Sequence, residues 1–259
     1  MLAALVIAAP LGGCQESTGE QGKSVLDTIQ ETSKIRIGIL DGAPPFSQLG
    51  ADGQPEGYDV DIAKAIAETL GATPEWTVVD IPGRVASLQT RQLDMVVANF
   101  TRTPQRAMTI DFTPPYLIVR NMFLVRADSP YQEVADLDKP EVRIAITRGG
   151  TAEQWVPTFA PNGKQVAFNS EGDCVQALQS NQADVLTQDN FFNARLMADN
   201  PGTYRVIEAD YPAESISIGL PQGDAKWARW LDTWVYEFNA TGANAALFMK
   251  WFEYEMPPM

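Results

Sequence analysis

Residues 57–71 read GYDVDIAKAIAETLG. Val60, Ile62, Ala63, Ile66, Ala67 and Leu70 recur at the spacing of one helix face, and Gly71 stands where such a helix stops. Upstream, Ile35–Leu40 (IRIGIL) is a β-rich run that ends at Asp41-Gly42. Downstream, Val78-Val79, then Pro82 to Gln92, then Met95-Val96-Val97 repeat the strand–helix–strand order. The order resumes with Val142–Ile146, Thr151–Phe159, Cys174–Ser180, Val185–Thr187 and Phe191–Met197. Alternation of this kind predicts an α/β fold with mainly parallel sheets flanked by helices.

A weak internal repeat points to two similar lobes. Ile35-Arg36-Ile37-Gly38-Ile39 is echoed by Val142-Arg143-Ile144-Ala145-Ile146. Leu88-Gln89-Thr90-Arg91-Gln92-Leu93-Asp94 is echoed by Leu178-Gln179-Ser180-Asn181-Gln182-Ala183-Asp184. The offsets are 107 and 90, so the first lobe holds about 17 extra residues, expected to include the turn-rich loop Gln48–Gly57. Two lobes imply a cleft, where small ligands bind. In open parallel sheets the ligand sits beyond the carboxyl ends of the strands. The loops after Leu40, Val97, Ile146 and Thr187 are therefore the ones to inspect.

Composition removes several classes of function. None of the 259 residues is histidine, so no Ser-His-Asp or Cys-His unit and no histidine metal site can form. Lys+Arg number 19 against 33 Asp+Glu, and a formal charge of −14 disfavours nucleic acid as a partner. No cofactor and no metal are expected.

Met1 to Ala9 is almost wholly apolar and is followed by Leu11-Gly12-Gly13-Cys14. The run is too short to span a bilayer and reads as a secretory signal, residues 1–13. Leu-Gly-Gly-Cys resembles a bacterial lipobox, which implies lipidation at Cys14; a cleaved signal with an incidental cysteine is the alternative. Residues 14–23 then read as a polar tether. Cys174 remains the single thiol of the mature chain, expected to be buried and inert.

The cleft loops carry chemistry suited to a zwitterion. In Asn99–Arg106 (NFTRTPQR), Pro104 fits a first helical turn, which places Thr103 at the N-cap and Arg106 close behind. A cation gains nothing from that end of a helix, so Arg106 is either an ordinary surface residue or the partner of a ligand carboxylate. Gly149-Gly150-Thr151 before a helix start can turn free N–H groups towards an anion. Asp189 is either the N-cap of the following helix or the partner of a ligand ammonium.

These segments together resemble the polar-amino-acid substrate-binding proteins of ABC importers, solute-binding protein family 3. The resemblance rests on Gly57-Tyr58-Asp59-Val60-Asp61-Ile62, on Asn99–Arg106, on Asp111-Phe112-Thr113-Pro114-Pro115-Tyr116, on Gly149-Gly150-Thr151, on Gln188-Asp189 and on Ala43-Pro44-Pro45-Phe46. It covers residues 24–258. It implies the two-lobed periplasmic-binding-protein type II fold, with lobe 1 at 24–119 plus 211–259, lobe 2 at 120–210, and two crossover hinge segments near 117–121 and 210–213.

The resemblance also implies roles. Arg106 clamps an α-carboxylate, Thr101 and Thr151 support it, and Asp189 with the Asn99 carbonyl receives the α-ammonium. Phe46, Arg84, Tyr58, Phe100 and Arg148 are candidates for the side-chain pocket, with a polar or acidic amino acid favoured. Asp59 and Asp61 are expected to cap the signature helix and stay solvated. The implied partners are a free amino acid and ABC permease subunits, for a monomer held in the envelope by its lipid alone. The rival reading is a cyclohexadienyl dehydratase on the same fold, with Glu153 as its candidate acid.

Overall fold

The computed structural model describes residues 22–258. The leader, Cys14 and most of the tether lie outside them. Two five-stranded sheets form the frame. The first runs, in spatial order, Thr73–Val78, Lys34–Ile39, Met95–Val96, Gly219–Leu220 and Asp111–Phe112. The second runs Lys164–Phe168, Arg143–Thr147, Val185–Asp189, Asn121–Arg126 and Tyr204–Ile207.

In each sheet the first three strands are parallel and the fourth is antiparallel to its neighbours. The reversed strand is the one delivered from the other lobe: Asn121–Arg126 follows Leu117–Val119, and Gly219–Leu220 follows Glu214–Ile216. A chain arriving across the hinge enters the sheet at its cleft edge and must run away from it. The parallel strands run towards that edge, so the crossover strand opposes them. The two crossovers pair as an antiparallel ribbon, with Glu214 opposite Val119 and Ile216 opposite Leu117. The return ribbon thus starts at Glu214, just beyond the expected 210–213.

The internal repeat is physical. Arg36 donates its backbone N–H, Nε and Nη2 to Asp94, and Arg143 makes the same three bonds to Asp184. Arg91 and Asn181, the matching turn residues, both take left-handed backbone at φ 55° and 59°. The extra length of the first lobe lies between strand and helix: Leu40–Gly57 there against Arg148–Thr151 in the second lobe.

Helix Tyr58–Thr69 buries Val60, Ile62, Ala63, Ile66 and Ala67, the face read from its spacing. Gly57 before it has φ 133°, and a Cβ there would lie 2.2 Å from the Phe46 carbonyl oxygen. Only glycine allows the two backbones to pass so closely. Cys174 is buried against Thr147, and burial pushes its thiol up to about 12, so it stays a protonated packing group.

Phe191 joins the two cores. Phe191 belongs to helix Asn190–Asp199, which packs on strands of the second sheet. Its ring nevertheless lies in the aromatic cluster of the first lobe, 5.4 Å from Phe248 and 5.0 Å from Phe252. Among the described residues no helix is long and apolar enough to cross a membrane.

Candidate functional site

The carboxyl ends of the strands meet at a narrow cleft between the sheets. It is lined by Ile81, Arg84, Asn99, Thr101, Arg106, Val119, Asn121, Thr147, Gly150, Thr151, Ala152, Glu171, Thr187, Gln188, Asp189 and Glu214. Six of the ten sequence candidates are in this set: Arg106, Thr101, Asn99, Thr151, Asp189 and Arg84. Phe46 and Tyr58 are not. Phe46 is fully buried and packs edge-on against Phe191 and Phe252. Tyr58 is fully buried among Tyr116, Phe248 and Phe252, and its hydroxyl donates to Asn244 Oδ1. Both aromatics build the wall behind the site. Phe100 is also buried, but its ring supports the two cleft arginines, with Arg84 at 4.5 Å and Arg106 at 5.1 Å from its centroid. Arg148 is exposed and lies outside the cleft lining.

Arg106 opens a short 3-10 turn, Arg106–Met108, and its backbone N–H donates to Thr103 Oγ1. Its Nη1 donates to the Thr101 carbonyl of lobe 1 and its Nη2 to the Gly149 carbonyl of lobe 2 at 2.9 Å. Burial lowers its pKa, with Glu214 acting in the opposite sense. Arg84 is held more tightly still. Nε donates to the Ile81 carbonyl at 3.1 Å, and Nη1 to the Ala98 and Asn99 carbonyls at 2.9 and 3.1 Å. Its Nη2 makes no hydrogen bond with the described residues. Desolvation brings its pKa down to about 9.

Asp189 is the N-cap of the following helix, and its second oxygen faces the other lobe. Oδ1 caps the helix by accepting from the Phe191 and Phe192 N–H groups at 2.9 and 3.0 Å. Oδ2 accepts from Asn99 Nδ2 at 2.9 Å, across the lobes. Burial raises its pKa. Asn99 itself has φ 42°, and its carbonyl, expected at the ligand ammonium, accepts from Arg84. The Asn99 N–H donates to Asp59 Oδ2 at 2.6 Å.

Asp59 is therefore not solvated. It is fully buried, also accepts from the Tyr116 hydroxyl at 2.8 Å, and is pushed up to about 7 by burial. The signature helix thus fixes the strained turn at Asn99 from behind. Asp61 instead binds Lys250 and the Trp251 indole at the surface side.

Two carboxylates in the cleft were not read from the sequence. Glu214 lies on the return ribbon and is buried. Its Oε2 accepts from the hydroxyls of Thr101 at 3.2 Å and Thr151 at 2.9 Å, and its Oε1 from Trp155 Nε1 at 3.0 Å. One carboxylate thereby ties a lobe 1 threonine to two lobe 2 groups. Glu171 opens helix Glu171–Gln179, is buried, and has an Oε2 with no hydrogen-bond partner. Desolvation, with Asp189 adding to it, pushes its pKa up to about 8. Glu153, the acid named for a dehydratase, is exposed and accepts from the Gly149 N–H at 3.0 Å. Among the described residues no acidic or thiol cluster could hold a metal ion.

The cleft therefore presents two guanidinium groups and three carboxylates from both lobes, bridged by direct interlobe hydrogen bonds. Such an arrangement can hold a small dipolar molecule.

Known proteins of the same build agree with this. The chain is 28% identical over 246 residues to the ABC transporter glutamine-binding protein GlnH of Bacillus subtilis, covering 93% of this chain and 89% of that one. It is 26% identical to an L-arginine-binding protein of Pseudomonas aeruginosa, covering 89% of this chain and 92% of that one. Among solved structures it matches a cysteine-binding protein of Campylobacter jejuni with a TM-score of 0.83 at 26% identity, over 89% of this chain and 94% of that one. It also matches the ancestral amino-acid-binding protein AncCDT-1, described as a precursor of cyclohexadienyl dehydratase. There the TM-score is 0.82 at 30% identity, over 89% of this chain and all of that one. Residues 35–254 match the profile of one family across nearly all of the described fold, and the chain belongs to it: the bacterial extracellular solute-binding proteins, family 3.

Proposed function

We propose that this protein is an extracytoplasmic amino-acid-binding protein that closes around a ligand's α-carboxylate and α-ammonium and delivers it to an ABC importer. The observation that carries the reading is the opposed pair in one cleft: the Arg106 guanidinium on lobe 1 and the buried Asp189 carboxylate on lobe 2. A desolvated zwitterion needs opposite charges and hydrogen bonds at both ends. Lobe 1 (24–119 plus 211–259) and lobe 2 (120–210) turn about the paired ribbons, and the ligand favours the closed state by touching both. The Thr101 and Thr151 protons are spent on Glu214, so Arg106 carries the carboxylate and the threonines set its surroundings. Of a polar or an acidic side chain, the polar one fits better, because Glu171, Asp189 and Glu214 already share the cleft.

The test is a thermal-shift screen of the twenty amino acids, since ligand raises apparent stability by mass action. Calorimetry on Arg106→Ala follows for each hit. The variant is expected to lose about 2–5 kcal/mol of binding. Affinity surviving within about tenfold, 1.4 kcal/mol, overturns the clamp assignment. The dehydratase reading is weaker, because Glu153 stands outside the cleft; phenylpyruvate formed from prephenate by the pure protein would restore it. The envelope location rests on the leader and on Cys14, whose lipid anchors the mature chain. In that case Cys14→Ser moves the protein from the membrane fraction to the soluble one, and an unchanged distribution refutes the anchor.

A further inference from the structure

The side-chain end of the cleft is chemically specific. Glu171 is not needed to cap its helix, because Ser170 Oγ already accepts from the Asp173 N–H at 3.0 Å. Its Oε2 is nonetheless buried without a partner, and so is Asn99 Oδ1. Both residues line the same cleft as Arg84, whose Nη2 is uncommitted while Nε and Nη1 are held by three carbonyls. Unpaired buried acceptors are costly, and a bound group that donates to them recovers that cost.

Two acceptors and one donor lining one cleft can be met by a single small group. A primary carboxamide offers an oxygen for Arg84 and two N–H donors for Glu171 and Asn99. A carboxylate in the same place meets Arg84 well but sets a second anion against Glu171. A guanidinium or ammonium meets Glu171 well but sets a second cation against Arg84. Each misplaced like charge in a desolvated cleft is penalised. We infer that Glu171, with Arg84 and Asn99, selects an amino acid with a carboxamide side chain, of the glutamine or asparagine type, against its acidic and basic counterparts. This rests on the amino-acid reading above and assigns its side-chain class.

Calorimetry with glutamine, glutamate and arginine tests it at about pH 8.5, where Glu171, raised to about 8 by burial among Asp189, Arg84 and Asp59, is mostly ionised. The wild type is expected to bind glutamine at least about 100-fold more tightly than either competitor. Glu171→Gln is expected to bring glutamate within about tenfold of glutamine, because the repulsion is gone while an acceptor remains. Glutamate or arginine matching glutamine on the wild type overturns the inference, whatever the variant does. An unchanged glutamine-to-glutamate ratio in a folded Glu171→Gln variant also overturns it. If no amino acid binds at all, the carrier reading fails with it; if others bind and glutamine does not, this inference fails alone.

Discussion

Glu171 and Asp59 are carboxyl groups held where water is excluded, and that makes them proton stores. Burial lifts Glu171 from its ordinary 4.5 to about 8 and Asp59 from 3.8 to about 7. Between those limits the folded chain keeps protons that the unfolded chain releases. Stability therefore falls as pH rises from about 4 to about 8, while Arg84, lowered to about 9 by burial, acts in the opposite sense only towards and above that value. Asp184 and Asp224, whose pKa values are lowered by bonds to Arg143 and to backbone N–H groups, act in the opposite sense but only below 3.8. The expected melting temperature without ligand is higher at pH 5.5 than at pH 8.5, and Glu171→Gln removes part of the slope. A melting temperature that is flat or rising across that window contradicts the buried-acid account. At this scale the sequence was partly legible. Arg106, Thr151 and Asp189 stood beside Pro104, Gly149-Gly150 and a strand end, signals with a mechanical meaning. Glu171 was hidden because a glutamate in a first helical turn is the ordinary complement of the helix dipole. Glu214 was hidden because it lies in a stretch with no periodicity, one residue past the expected crossover.

Among the elements, the signature turn and helix show why a motif need not touch a ligand. Gly57 lets the chain pass over Phe46, and Asp59 two residues later holds the N–H of Asn99. Gly57→Ala forces a Cβ into a carbonyl oxygen at a backbone angle that L-residues avoid. The expected loss is about 2–4 kcal/mol of unfolding free energy in urea, together with weaker ligand binding through the displaced Asn99 turn. Full stability in the alanine variant would show that the close approach relaxes freely. The strand–helix order was readable because each buried face kept its period. Strand Thr73–Val78 was read only at its end. It is an edge strand with exposed and half-buried residues alternating, and it tolerates Pro74, so it lacks the apolar run of its neighbours. The repeat was readable because it is built on one device, an arginine from the strand and an aspartate from the turn, used twice.

For the molecule as a whole, Glu214 is a polar tie between the lobes. It joins Thr101 to Thr151 and Trp155, while Arg106 reaches Gly149 and Gln154 donates to Gln105 at 2.9 Å. Glu214→Ala strands three donors and is expected to cost about 1–3 kcal/mol of stability. It is also expected to enlarge the radius of gyration without ligand in small-angle scattering, with compaction restored on saturation. An identical radius with and without the substitution removes Glu214 from the closing mechanism. Neither the tie nor the packing between the two cores was legible in sequence, because both join residues from different lobes. Phe191 gives that packing a mechanical meaning. Its neighbour Asn190 is bonded to Arg120 by both its N–H and its side-chain oxygen, at the end of the crossover ribbon. Under the proposed closure, a ring at the pivot would turn in its greasy socket instead of leaving it, so its apolar burial would be shared by open and closed forms and cancel from their difference. The balance between those forms would then rest on a handful of polar bonds at the rim, light enough for one small zwitterion to tip.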